Sequence, residues 1–319
     1  MSGAGEGDGR LGLRILGGFL GAGKSTWLRH HLHDHPTPPV VVLNEMGAVP
    51  VDGRLLHRAA ALHVVAGGCA CCTRREALIG TLRAICNDRT RAGDASAASG
   101  TLILETSGIA QPAAIAGAIL VDPVLSRHLR IEAITVVVDG AEGAARLAGD
   151  PLARRQLEAA HEVVISRLDA AAPQALADTL AMVRRLAPAA PVTAASFGAA
   201  MPLPDLPPPG PAPALGADER EIVSVVLPLG DGPGDTGDWT AFGLFLSALL
   251  HRHGQSIFRA KGVVATPRGR LLLQAVSGHV QPPELLPEGV AADDNRVVLI
   301  GHVDRPEAIA AAWAAMRAG

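Results

Sequence analysis

The segment Gly18-Phe19-Leu20-Gly21-Ala22-Gly23-Lys24-Ser25 constrains this chain more than any other. It is a complete G-x-x-x-x-G-K-[ST] loop, set after the apolar run Leu11 to Leu16 and before the helix-like stretch Thr26 to His33. Glycines let backbone N–H groups close around a phosphate, the lysine reaches the β- and γ-oxygens, and the hydroxyl that follows is placed to ligate Mg²⁺. The order strand, loop, helix puts that phosphate at a helix N-terminus, where unpaired N–H groups and the dipole both favour an anion. The alternative reading, a flexible glycine turn, requires none of this context. The expectation is a nucleoside triphosphate site built from Gly18, Gly21, Ala22, Gly23, Lys24, Ser25 and the adjoining Thr26.

Such a loop belongs in a parallel sheet, and the runs around it agree. Val40 to Leu43, Thr101 to Leu104, Ile134 to Val138 and Val163 to Ile165 are short, β-branched and nearly all apolar, with helix-like segments between them. Strands of that kind are covered on both faces, so the first half reads as α/β, a P-loop NTPase parallel sheet with helices on both faces. Gly93 to Gly100 reads as a mobile loop of small residues. Met201 to Gly216 carries Pro202, Pro204, Pro207, Pro208, Pro209, Pro211 and Pro213, which excludes helix and central strand and suggests a stiff, extended linker. Beyond it, strand-like runs at 222–227, 257–265, 270–276 and 297–303, with helices at 239–251 and 305–316, suggest a smaller α+β domain. The expected organisation is a flexible N-terminus at 1–10, a nucleotide domain at 11–200, a Pro-rich linker at 201–220 and a C-terminal domain at 221–319.

Charge and hydropathy narrow the partners. A net charge of −3 with no basic run gives no pull toward nucleic acid or anionic membrane. Nothing approaches the roughly 18 apolar residues of a membrane span, and the start, Met1 to Arg10, has no apolar core of a leader. The expectation is a cytosolic protein with neither nucleic acid nor membrane as partner.

Four further motifs carry chemistry. Glu105-Thr106-Ser107-Gly108 follows an apolar strand, as a carboxylate for the Mg²⁺ shell and a glycine N–H for the γ-phosphate would. Asn44-Glu45-Met46-Gly47 ends the second strand, where a first switch would lie, with a plain turn after a strand as the alternative. Gly67-Gly68-Cys69-Ala70-Cys71-Cys72 holds three of the four cysteines. Adjacent thiols bridge poorly and cytosolic disulfides are rare, so the cluster reads as a soft-ligand site for Zn²⁺, Cu(I) or Co²⁺, or else as small buried hydrophobes. Ser166-Arg167-Leu168-Asp169 stands where GTPases carry Asn-Lys-x-Asp; the Asp169 carboxylate suits the guanine N1–H and amino group, and Arg167 can lie over the ring. His30, His31, His33 and His35 with Asp34 read as the solvated face and end of the first helix, with a secondary metal store as the alternative. Cys86 reads as a packed core thiol.

Together the phosphate loop, Asn44-Glu45-Met46-Gly47, Cys69-Ala70-Cys71-Cys72 and Glu105-Thr106-Ser107-Gly108-Ile109-Ala110-Gln111-Pro112 closely resemble the CobW family of G3E-type P-loop GTPases, relatives of the nickel-insertion proteins of urease and hydrogenase maturation. Phe258-Arg259-Ala260-Lys261-Gly262 and Leu299-Ile300-Gly301-His302 resemble that family's C-terminal domain, so the likeness spans nearly the whole chain. The resemblance implies slow GTP hydrolysis coupled to loading a metal, zinc foremost and cobalt next, into a client metalloprotein; self-association stays open. It implies GTP or GDP, Mg²⁺ and Zn²⁺ or Co²⁺ as cofactors. Lys24, Ser25, Glu105 and Glu45 are then the catalytic set, with Ser25 and Glu105 on Mg²⁺. Gly108, Arg167 and Asp169 complete the nucleotide site, while Cys69, Cys71 and Cys72 hold the cargo and Glu45 supplies or exchanges a ligand. Three departures stand out: Ser166-Arg167 in place of Asn-Lys, Met46 in place of Phe, and no histidine-rich segment in the linker or C-terminal half. Two other readings are a nucleotide-binding, metal-sensing scaffold with little hydrolysis and a P-loop small-molecule kinase.

Overall fold

The computed structural model describes residues 9–45, 59–66, 71–91, 100–213, 223–230, 238–253, 256–267, 269–276, 278–286, 295–303 and 305–318. The chain divides into two compact units, one from Gly9 to Ala217 and one from Asp218 onward. The first runs β1 (Leu11–Gly17), α1 (Lys24–Asp34), β2 (Val40–Glu45), β3 (Ala61–Ala66), α2 (Cys71–Arg91), β4 (Thr101–Thr106), α3 (Pro112–Val121), α4 (Leu125–His128), β5 (Leu129–Asp139), α5 (Gly143–Gly149), α6 (Pro151–Glu158), β6 (Glu162–Ser166), α7 (Pro173–Leu186), β7 (Val192–Ser196) and β8 (Ala199–Met201). Its strands form one sheet in the order β3-β2-β4-β1-β5-β6-β7-β8, parallel except for β8.

This is the layered sheet that the apolar runs predict, and the reason is visible in β4. Leu102, Ile103 and Leu104 are consecutive, so they point to alternate faces, yet all three are fully buried. Only a strand covered on both sides allows that. On one face Leu28 and Leu32 of α1 pack with Leu16, Val41, Leu43, Ile103, Val137 and Val164. The strand order sets β1 between β4 and β5, so the loop leaving β1 emerges where the connections diverge to the two sides. Ligands of such sheets bind at that crevice, off the carboxyl ends of the strands.

Strand β3 is absent from the sequence expectation. Ala61-Leu62-His63-Val64-Val65-Ala66 is an edge strand with an alternating, partly exposed pattern, and alanine and histidine dilute its β-branched character. The Pro-rich segment, expected as a stiff, extended linker, lies against the first unit. Leu203 and Leu206 pack against Ile165, Leu176 and Leu180, while Gly210 N–H donates to Asp178 at 2.7 Å and Gln174 to the Pro208 carbonyl at 3.1 Å. It is a strap along α7. The small-residue loop expected from Gly93 lies, up to Ser99, outside the described residues.

The histidines of α1 do separate things. His31 stacks on Trp27 with ring centroids 4.5 Å apart, and His33 sits exposed beside Asp34. Burial first, then the Arg14 guanidinium and His35, depress the His31 pKa to about 4, against Glu162 and Asp34, which pull it up. The unfolded chain takes up that proton near pH 6.5, the folded one only near 4, so folding loses stability as pH falls through that window. Replacing His31 with Phe keeps the stack and removes the titration. Between pH 7 and pH 5 the wild-type melting temperature is expected to fall by about 2–4 °C more than that of His31→Phe, measured by calorimetry.

The second unit comprises β9 (Val223–Pro228), α8 (Trp239–His253), β10 (Ile257–Thr266), β11 (Gly269–Val276), β12 (His279–Val280), β13 (Glu284–Leu285), β14 (Arg296–Gly301) and α9 (Pro306–Ala318). The order β12-β11-β10-β14-β9, with β13 on β11, is antiparallel throughout. One face packs on α8 and α9 around Phe242 and Trp313, whose rings meet edge to face at 5.2 Å. The Trp313 indole donates to the Pro228 carbonyl at 2.6 Å, so the ring is buried without stranding its N–H. This is the α+β domain the strand spacing predicts.

Candidate functional site

The turn from β1 into α1 depends on backbone that only glycine adopts freely. Gly18, Gly21 and Gly23 have φ of 134°, 79° and 87°. At Gly18 space is also decisive, because a Cβ would fall on the Val137 carbonyl oxygen. Lys24, nine-tenths buried at the first position of α1, donates from Nζ to the Gly18 carbonyl at 2.9 Å and the Phe19 carbonyl at 3.1 Å. Its ammonium therefore lies over the loop rather than in solvent. The loop's far side is held by Ser166, whose hydroxyl donates to the Ala22 carbonyl at 2.7 Å. Sequence reading treats Ser166 only as a shortened base contact; in the fold it braces the phosphate loop from β6.

β4 runs parallel to β1 in a register that pairs Leu16 with Glu105, and this sets Glu105 beside the loop. The Ser25 hydroxyl donates to Glu105 Oε1 at 2.8 Å, bringing together two residues 80 positions apart that the sequence assigns to one metal ion. Thr106 donates to the Leu16 carbonyl at 3.0 Å and locks the strand end to β1. Gly108 then passes against the phosphate loop so closely that a Cβ would stand 2.6 Å from Leu20 N. The loop beyond β4 is also held by Gln156 of α6, which donates from Nε2 to the carbonyls of Gly108 at 3.0 Å and Ala110 at 2.7 Å. Nothing in the sequence marks Gln156.

β2 lies next to β4 and pairs Leu43 with Glu105 and Asn44 with Thr106, while Glu45 pairs with Ala66 at the end of β3. The backbone thus delivers Asn44, Glu45 and the exit toward the cysteine motif to the same sheet edge as Glu105. Met46, Gly47 and Cys69 lie outside the described residues, as do the side chains of Glu45, Cys71 and Cys72. Cys71 and Cys72 open α2. That helix is fixed further along by Arg83, which pairs with Asp122 at 2.5 Å. Among the described residues no group of three His, Cys, Asp or Glu could hold a metal, so His30, His31, His33, Asp34 and His35 form no such group. Cys86 is buried in α2, and burial raises its pKa to about 11, an inert thiol.

At the other end of the crevice Asp169 is exposed, and its Oδ1 accepts from the Phe197 N–H and the Ser196 hydroxyl, both at 3.1 Å. Desolvation, which raises its pKa, is outweighed by these hydrogen bonds and the Arg167 charge, so the carboxyl stays below its usual range and ionised. Arg167 has φ of 58° and directs its guanidinium to Asp139 at 2.7 Å, rather than standing alone as a shelf for a base. Phe197, also at positive φ (49°), is 73% exposed beside Asp169. A bulky side chain on such backbone is unusual and concentrates at ligand sites. Thr26 adjoins the same corner: a Cβ on Gly198 would stand 2.5 Å from its carbonyl oxygen.

The residues fit a nucleotide with its metal. A glycine cradle with an ammonium across it takes a polyphosphate. A hydroxyl and a carboxylate oxygen in contact are the hard donors that Mg²⁺ requires.

The profile of the CobW/HypB/UreG nucleotide-binding domain matches residues 13–194, and that of the cobalamin synthesis protein cobW C-terminal domain matches 234–317. The chain is 28% identical over 186 residues to the zinc chaperone YjiA of Escherichia coli, covering 57% of this chain and 58% of the relative. It is 31% identical over 141 residues to the zinc chaperone CobW of Pseudomonas aeruginosa, covering 41% of this chain and 36% of the relative. These matches therefore span less than two thirds of either relative. The crystal structure of Zn(II)-bound YjiA GTPase from E. coli superposes with a TM-score of 0.60 at 21% identity over 97% of this chain and 99% of that one, a likeness of fold.

Proposed function

The chain belongs to the family of CobW, HypB and UreG, and from that premise we propose that it is a cytosolic GTPase that hands zinc, with cobalt as the second candidate, to a client metalloprotein. The carrying observation is the Ser25–Glu105 contact at the mouth of the glycine loop, on the sheet edge from which β2 and β3 lead to Glu45 and the cysteine motif. Lys24 and the loop's N–H groups bind the β- and γ-phosphates. Ser25 and Glu105 would hold Mg²⁺, which neutralises charge developing on the transferred phosphoryl group. Gly108 presents its N–H to the γ-phosphate, so the loop that follows senses whether that phosphate is there. Asp169, ionised and set by Ser196 and Phe197, selects guanine, with Phe197 and the Arg167–Asp139 pair flanking the base. Cys69, Cys71 and Cys72 carry the metal as cargo, with Glu45 of the first switch supplying or exchanging a ligand.

The relatives named as zinc chaperones support zinc as the cargo. Selectivity and turnover test the reading together. In competition against labelled GDP, GTP is expected to displace at least about ten-fold better than ATP, since a carboxylate built for guanine is left unpaired by adenine. Single-turnover GTP hydrolysis should be detectable and should change when Zn²⁺ is added. Equal displacement by ATP points to a kinase; no hydrolysis with or without metal points to a scaffold.

A further inference from the structure

Gln156 is unusual among the buried polar groups of the first unit. It is 1% exposed, and its Nε2 spends both hydrogens on one short loop, at the carbonyls of Gly108 and Ala110. Its Oε1 is buried and has no hydrogen-bond partner among the described residues. A turned-over amide would set that oxygen against two carbonyl oxygens, so the donor assignment follows from the neighbours. Both donors are therefore committed to the loop that follows β4.

What they hold is the segment that closes on the phosphate loop. Gly108 touches Leu20, and the α5–α6 pair that carries Gln156 also reaches the phosphate loop from behind, with the Arg146 guanidinium 4.5 Å over the Phe19 ring. Arg154 ties the two helices into one piece through the carbonyls of Leu147 and Ala148. Between these two attachments lies a pocket of ≈ 80 Å³, lined by Phe19, Leu20, Val138, Leu147, Ala153 and Gln156 among others.

We propose that Gln156 is a positioning residue for GTP hydrolysis, fixing the Gly108 peptide so that its N–H meets the γ-phosphate and linking that loop's state to α5–α6. This rests on the GTPase reading above. In Gln156→Met, single-turnover hydrolysis is expected to drop by at least about ten-fold, with GDP affinity within about two-fold and melting temperature within about 4 °C of wild type. In Gln156→Glu the carboxylate would face two carbonyls and fail as a donor, whereas the protonated acid donates one bond. Its hydrolysis should therefore recover as pH falls from 8 to 6, relative to wild type. Unchanged hydrolysis in Gln156→Met overturns the assignment, and so does a joint loss of GDP binding, GTP-analogue binding and thermal stability. If the wild type hydrolyses no GTP, the GTPase reading fails by itself. The linkage is then read from the ratio of GTP-analogue to GDP affinity, and an equal ratio in wild type and Gln156→Met overturns it.

Discussion

Replacing Lys24 with Ala is expected to lower GTP turnover by about three orders of magnitude, since transition-state charge on the phosphoryl oxygens loses its fixed cation. The structure explains why no neighbour substitutes. Lys24 is nine-tenths buried with its ammonium held over the carbonyls of Gly18 and Phe19. Two other cations near the loop answer to different partners, with Arg146 on Phe19 and Arg167 on Asp139. The glycine backbone that cradles phosphate is untouched, so GDP should still bind, more weakly. Turnover by phosphate release, with GDP affinity measured alongside, checks both halves. Turnover within about ten-fold of wild type would remove Lys24 from the chemistry.

The second large effect is on metal. Substituting Ser for Cys69, Cys71 and Cys72 together is expected to weaken Zn²⁺ binding by at least about a thousand-fold, because neutral hydroxyls replace soft anionic thiolates. Nucleotide affinity should stay within about two-fold, because the groups assigned to nucleotide lie in the loop after β1, on α1 and β4, and in the turns after β4, β6 and β7. Competition against a chromophoric chelator reads the first quantity, and fluorescent GDP titration the second. Zinc retained by the triple variant would contradict the assignment of the cargo to the cysteine motif.

Most of the architecture is legible in the chain because its signals are local. β4 reads as a doubly covered strand from Leu102-Ile103-Leu104 alone, and the phosphate loop from eight consecutive residues. What escapes is what depends on partners distant in sequence. β3 is a diluted edge strand whose identity comes from pairing with β2. Ser166 looks like an imperfect base contact until β6 is seen beneath Ala22, 144 residues away. Gln156 sits in an ordinary amphipathic helix, and its role exists only because α6 crosses behind the turn at Gly108. The strap from Pro202 to Pro213 reads as linker because prolines forbid regular structure, and composition says nothing of the α7 surface it lies on.

Under the proposed function, the γ-phosphate governs the metal site. β2, β3 and β4 end side by side, so a loop pulled toward the γ-phosphate at Gly108 starts beside the strands that precede the first switch and the cysteine motif in sequence. The most direct measurement is the Zn²⁺ dissociation constant of the full chain, once saturated with GDP and once with a non-hydrolysable GTP analogue plus Mg²⁺. The two constants are expected to differ by about ten-fold or more, the size of an ordinary coupling between sites. Equal constants would contradict it.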